Sequence, residues 1–139
     1  QAGYRKLQKK GELLPEDWTF EVRDQASYAE LAKVNFDLGA ELLLSLLKKA
    51  RWKSSQVTRV LSDNVTKSVG AAIAERTQIP LERVDAEGCR VRGHAFAADM
   101  FANLHFSIEK QPLEPGERIV SMGMGLGQHW GAALWECAK

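Results

Sequence analysis

A chain of 139 residues, 45% hydrophobic and 27% charged with four prolines, has the size and make-up of one folded domain with enough surface to bury for a single core. That composition excludes long disorder, collagen-like repeats and a coiled coil. Nineteen Lys and Arg against 18 Asp and Glu leave a formal charge of +1, so there is no basic field to draw in nucleic acid or an anionic membrane surface. Two cysteines, Cys89 and Cys137, make neither a disulfide framework nor a four-ligand zinc site. Each reads as a small buried hydrophobe kept as a thiol in a reducing compartment, which points to the cytoplasm.

The longest apolar stretch, Leu42 to Leu47 interrupted by Ser45, is far short of the ~20 residues that span a bilayer, so no membrane segment is expected. Arg5, Lys6, Lys9 and Lys10 are not followed by an apolar core, which argues against a signal peptide. The chain opens with Gln1, not Met, and is read as processed or as part of something longer.

Residues 1–17 are polar and punctuated by Gly11 and Pro15, and are expected to form a mobile linker ahead of a domain over 18–139. Trp18 to Val22 alternates large and polar residues as a half-buried strand does. From Ser27 to Trp52 the recurrence of Leu31, Val34, Leu38, Leu42, Leu46 and Leu47 predicts an amphipathic helix closed by Lys48, Lys49 and Arg51. Gly39 inside it marks either a break or a close packing contact.

Val57 to Leu61 predicts a strand, and Val65 to Thr77 a helix, with Asp63 and Asn64 suited to cap its first turn. After Pro80 a weaker strand is expected over Val84 to Val91. A helix then runs from Ala95 to Glu109, with Phe96, Met100, Leu104 and Ile108 along one face. Glu114, Pro115, Gly116, Glu117 spell a turn. Strands Arg118 to Met122 and Gly131 to Cys137, joined by a glycine-rich segment, complete the pattern. Strands alternating with helices and ending in two strands predict an α/β fold, a mixed sheet with right-handed crossovers and a terminal β-hairpin.

Three histidines are candidates for chemistry. His105 follows the apolar Leu104 with no acidic residue at a useful spacing, and reads as structural or solvent-facing. His94 follows Gly93 at a turn, where the backbone is permissive, and Asp99 lies five residues on. A carboxylate there can fix the imidazole tautomer and steady the imidazolium, as the orienting acid of an acyl-transfer triad does. The simpler reading of the same residues is a helix start, with Asp99 at its positive end. Asp63 closes a strand, the edge where open α/β sheets bind ligands, or else caps the helix after it. The run Gly123, Met124, Gly125, Leu126, Gly127 lacks the spacing and following helix of a dinucleotide cradle; its exposed amides suit an oxyanion instead.

Asp63 and Asn64, the helix leading to Ile79, Pro80, Leu81, Glu82, Arg83 and Val84, then Gly93 and His94, Glu114 to Glu117, and Gly123 through Trp130, Gly131, Ala132, Ala133 and Leu134 stand in an order that resembles a known family. It is similar to the C-terminal half of the ketoacyl-[acyl carrier protein] synthase III group of the thiolase superfamily, over roughly Val57 to Trp135. The resemblance implies a layered thiolase-like half of a two-half enzyme, with the nucleophile in a missing N-terminal half and a homodimer as the assembly. No cofactor is implied; the substrate is a thioester of coenzyme A or of an acyl carrier protein's phosphopantetheine.

The family has a histidine where this chain has Asp63, and an asparagine where it has His94. The pair His94 and Asp99 resembles instead a variant subgroup of starter-unit and tailoring acyltransferases of polyketide pathways. A backbone amide near Leu126 is implied as an oxyanion donor, and Lys67 neighbours the family's basic surface for the carrier protein or coenzyme A, if it is not simply a solvated lysine. Three functions follow as expectations: an acyltransferase of fatty-acid or polyketide biosynthesis, this half being inactive alone; a non-catalytic scaffold subunit of a ketosynthase-like complex; or an unrelated small α/β binding domain.

Overall fold

The structure, a computed structural model, describes residues 4–6, 20–22, 25–85, 87–91, 93–125 and 129–138. The chain divides into two compact units, Gln1–Asn35 and Phe36–Lys139. In the first, strand β1 (Tyr4–Lys6) pairs antiparallel with β2 (Phe20–Val22), Tyr4 opposite Val22 and Lys6 opposite Phe20. Two expectations change here. Tyr4–Lys6 is strand inside the segment read as a linker, and Phe20–Val22 belongs to this two-stranded sheet, so it is not a member of the larger one. Pairing between segments 14 or more residues apart overrides a polar composition that reads locally as loop. The remainder of 1–17, and Trp18 and Thr19, lie outside the described residues.

Helix α1 (Gln25–Ala50) runs without a break through Gly39. The second unit continues with β3 (Arg59–Leu61), α2 (Lys67–Thr77), β4 (Val84–Asp85), α3 (Glu87–Val91), α4 (Asp99–Lys110), β5 (Arg118–Gly125) and β6 (His129–Glu136). The sheet order is β4-β3-β5-β6, with β3 parallel to β4 and β5, and β5 antiparallel to β6. This is the mixed sheet and terminal hairpin that the strand and helix alternation predicts. The hairpin is longer than expected, because the ladder pairs Met124 with Trp130 and Gly125 with His129 before the chain turns. Gly116, at φ 82°, takes the left-handed position of the turn before β5, as its place after Pro115 requires.

The expected strand over Val84 to Val91 stops after two residues and gives way to α3. Only Val84 and Asp85 meet a partner, opposite Val60 and Leu61, and the Glu87 to Arg90 stretch has no β-branched alternation to carry an edge strand further.

Alternation along the central strands divides the interior in two. Val60, Val120 and Met122 face Ala40, Leu43 and Leu47 of α1 and Ile73 and Ala74 of α2, in one apolar core with Val57, Ile79 and Val84. The buried face of α1 is therefore Gly39, Ala40, Leu43 and Leu47, while Leu38, expected inside, is exposed. Gly39 settles as a close contact. A Cβ there would lie 2.8 Å from Cε2 and 2.9 Å from Cζ2 of Trp130. Gly39→Ala is accordingly expected to destabilise the fold by about 1–3 kcal/mol, since a packed indole has little room to retreat; urea unfolding checks this, and an unchanged midpoint would contradict it.

The opposite face of β3 holds an ionic clamp. Buried Arg59 donates to both oxygens of Glu117 at 3.2 and 3.0 Å, to the carbonyls of Ser107, Gln111 and Pro112 at 3.0, 2.8 and 3.1 Å, and to Ser107 Oγ at 2.9 Å. Through it the C-terminal end of α4 and the two residues after it are tied to the sheet.

Candidate active site

The α4 stripe that meets the interior is not the apolar one. Asp99 and Asn103 are buried, with Ser107 bonded to Arg59, whereas Phe96 and Ile108 of the expected apolar face are exposed. Positions 99, 103 and 107 step by four and so share a face. A helix that turns Asp and Asn towards a sheet needs polar partners there.

Those partners lie just beyond the carboxyl end of β3. Asn64 N–H donates to Asp99 Oδ2 at 2.7 Å. The Asn64 and Asn103 amides exchange two hydrogen bonds, at 3.3 and 3.0 Å, and Asn103 Nδ2 also donates to the Ser62 carbonyl at 2.7 Å. Asn64 therefore spends its side chain on Asn103, and the N-cap position of α2 falls to Thr66. Asp63 is not a cap either: its Oδ2 accepts the Met124 N–H of β5 at 2.7 Å, and its buried Oδ1 has no hydrogen-bond partner among the described residues.

His94 precedes a short 3-10 turn, Phe96–Ala98, which folds the chain back so that Asp99, the first residue of α4, meets it. His94 Nδ1 lies 2.6 Å from Asp99 Oδ2, and Ala95 N–H donates to Asp99 Oδ1 at 2.7 Å. The expected strand before this turn is replaced by helix α3, so His94 stands between two helical segments. The Asp99 side chain is 1% exposed and that of His94 30%, so the carboxylate is inside and the imidazole reaches outward from it.

Electrostatics separates the two acids. Burial alone would raise the Asp99 carboxyl, but the Asn64 and Ala95 amides and the His94 ring outweigh it and hold it below its ordinary value. Asp63 moves up: burial dominates, Asp99 adds to it, and the Met124 amide and His94 only partly offset them. Asp99 is thus the anion that faces the imidazole. With Nδ1–H donating to it, the neutral ring carries its lone pair on Nε2, the arrangement of a general base with its orienting acid.

Of the other expected residues, Lys67 is the first residue of α2, three positions past Asn64, with its side chain outside the described residues, and Leu126 lies outside them altogether. His105 does have an acidic neighbour, Glu109 one turn on, at 3.5 Å; both are exposed, which leaves it a surface pair. Cys137 is a free, half-buried thiol, less enclosed than expected. Asn103 is a site residue that the sequence reading does not name; its spacing of four from Asp99 is the signal that marks it. Among the described residues no group of three His, Cys, Asp or Glu is placed to hold a metal, and no helix is long and apolar enough to cross a membrane.

A four-stranded mixed sheet with helices on both faces and polar groups gathered past the carboxyl ends of β3 and β5 is an α/β, thiolase-like half. Residues 47–137 match the family described as 3-Oxoacyl-[acyl-carrier-protein (ACP)] synthase III C terminal, and the chain belongs to that family. A β-ketoacyl-[acyl-carrier-protein] synthase III of Aquifex aeolicus is 31% identical over 105 residues, 76% of this chain and 34% of the relative. One from Streptomyces coelicolor is 30% identical over 89 residues, 64% of this chain and 26% of the relative. The crystal structure of the Aquifex aeolicus 3-oxoacyl-[acyl-carrier-protein] synthase III superposes with a TM-score of 0.74 at 27% identity, covering 88% of this chain and 38% of that one. The match thus spans about a third or less of the length of these curated relatives.

Proposed function

We propose that this chain is the C-terminal half of a synthase III-like acyltransferase of fatty-acid or polyketide biosynthesis, and that His94 is its general base. The observation that supports this reading is the 2.6 Å contact from His94 Nδ1 to the buried Asp99 carboxylate, which leaves Nε2 for a reacting proton. A serine or cysteine of the N-terminal half gives its proton to Nε2 and attacks the carbonyl carbon of an acyl thioester. The C–S bond breaks, the departing thiol takes the proton from the imidazolium, and the acyl group stays on the nucleophile until an acceptor removes it by the reverse sequence.

The thioester is one of coenzyme A or of an acyl carrier protein, the second in keeping with relatives that are β-ketoacyl-[acyl-carrier-protein] synthases. An amide near Leu126 is assigned the developing oxyanion, and Lys67 the carrier-protein or coenzyme A surface. A homodimer in the cytoplasm, with Cys137 as a thiol, completes the reading. Asp63 stands apart from it, an acid that burial pushes above its ordinary value.

The test is acyl transfer from a panel of thioesters by the complete enzyme, followed by intact-protein mass spectrometry. Adduct formation that slows sharply in His94→Gln with the fold intact supports the proposal. Unchanged turnover would leave the scaffold reading in its place.

A further inference from the structure

Phe96 stands two residues after His94 with φ at 54°, in the left-handed region where a bulky side chain crowds its own backbone. Its side chain is not core: the residue is 68% exposed, so burial does not offset the crowding. Glycine would reverse the chain at this point without that conflict. What the phenyl ring does touch is the imidazole, with centroids 4.6 Å apart and planes inclined at 49°.

A single hydrogen bond from Nδ1 to Asp99 still lets the imidazole rock about its Cβ–Cγ bond. The phenyl ring, tilted against the imidazole, restricts that rocking, and the direction of Nε2 then follows from two contacts. We propose that Phe96 is a positioning residue that holds the plane of the His94 ring, so that Asp99 sets the tautomer and Phe96 sets where the lone pair points. Strained backbone that persists without a packing reason is characteristic of sites where geometry is held for chemistry. The proposal rests on His94 being the base, yet it concerns ring geometry, which is measurable in this chain without turnover.

The experiment compares the chain with its Phe96→Leu, Phe96→Gly and Phe96→Tyr variants by NMR of the His94 ring. The aromatic variant is expected to keep the ring-current-shifted imidazole protons, and the other two to lose the shift and to show a more mobile ring whose Nδ1 proton exchanges faster from its bond to Asp99. The glycine variant suits the backbone, so lost structure does not stand behind its result. In the complete enzyme, kcat is expected to fall on the order of 10-fold to 100-fold for leucine and glycine with KM unchanged, and to recover with tyrosine. Imidazole signals identical to wild type in the leucine and glycine variants would overturn the proposal, as would full kcat with a mobile ring. Absence of acyl transfer by the unsubstituted enzyme would remove the proposed function, while the ring signals would still decide whether Phe96 positions His94.

Discussion

Asp99→Asn is expected to lower acyl transfer by the complete enzyme about a thousand- to ten-thousand-fold. Asp99 accepts three donors on two oxygens: Asn64 N–H, Ala95 N–H and the His94 ring. An asparagine offers one oxygen and an NH2 group. If the NH2 faces the ring, Nδ1 becomes the acceptor, the proton moves to Nε2, and the base is blocked by the wrong tautomer, which is the mechanism behind a loss of that size. In either orientation the NH2 also meets a backbone amide, Asn64 N–H beside the ring or Ala95 N–H on the other side, so two donors collide in a buried place and the fold is expected to lose about 2–4 kcal/mol.

The same substitution has a pH signature. The Asp99 carboxyl is held below its ordinary value, so its contribution to stability is present above the ordinary carboxylate range and is lost as pH falls through the folded-state value. Denaturant unfolding across pH should therefore show a stability gap between wild type and Asp99→Asn at neutral pH that narrows in acid. Activity of Asp99→Asn within tenfold of wild type would contradict the account.

Arg59→Met is expected to destabilise the fold by about 3–5 kcal/mol. The arginine side chain is 9% exposed and its Glu117 partner 12%, so removing the cation strands a buried carboxylate. It also removes the donors that serve the Ser107, Gln111 and Pro112 carbonyls at the end of α4. The double variant Arg59→Met with Glu117→Met should recover the share due to the stranded charge but not the share due to those carbonyls. Since α4 also carries Asp99 and Asn103, the single variant should loosen the site as well as the fold. A loss under about 1 kcal/mol by urea unfolding would show the clamp to be idle.

Local order was readable where local chemistry decides it. Pro115 and Gly116 dictate their turn, and the heptad-like run from Leu31 to Leu47 dictates a helix. His94 and Asp99 could be paired from spacing because a permissive glycine and a tight turn bring residues five apart together. What escaped were choices made by distant partners. Asp63 answers to Met124, 61 residues away, and Asn64 to Asn103, 39 away, so both left the helix cap that their residue types favour. The helix faces were misjudged for a related reason: on α1 the close approach of Trp130 to Gly39 brings Leu43 in and turns Leu38 out, and on α4 a polar stripe with partners on the sheet side displaces an apolar one. The two-residue β4 is an edge strand that meets β3 only at Val60 and Leu61.

The proton position on one imidazole decides the matter most directly. Selective 15N labelling of His94, read by its ring nitrogen shifts with the imidazole neutral, should show hydrogen on Nδ1 and a bare Nε2, and this preference should vanish in Asp99→Asn. A ring that carries its hydrogen on Nε2, or that exchanges between tautomers as a free histidine does, would contradict the pairing on which the proposed chemistry stands.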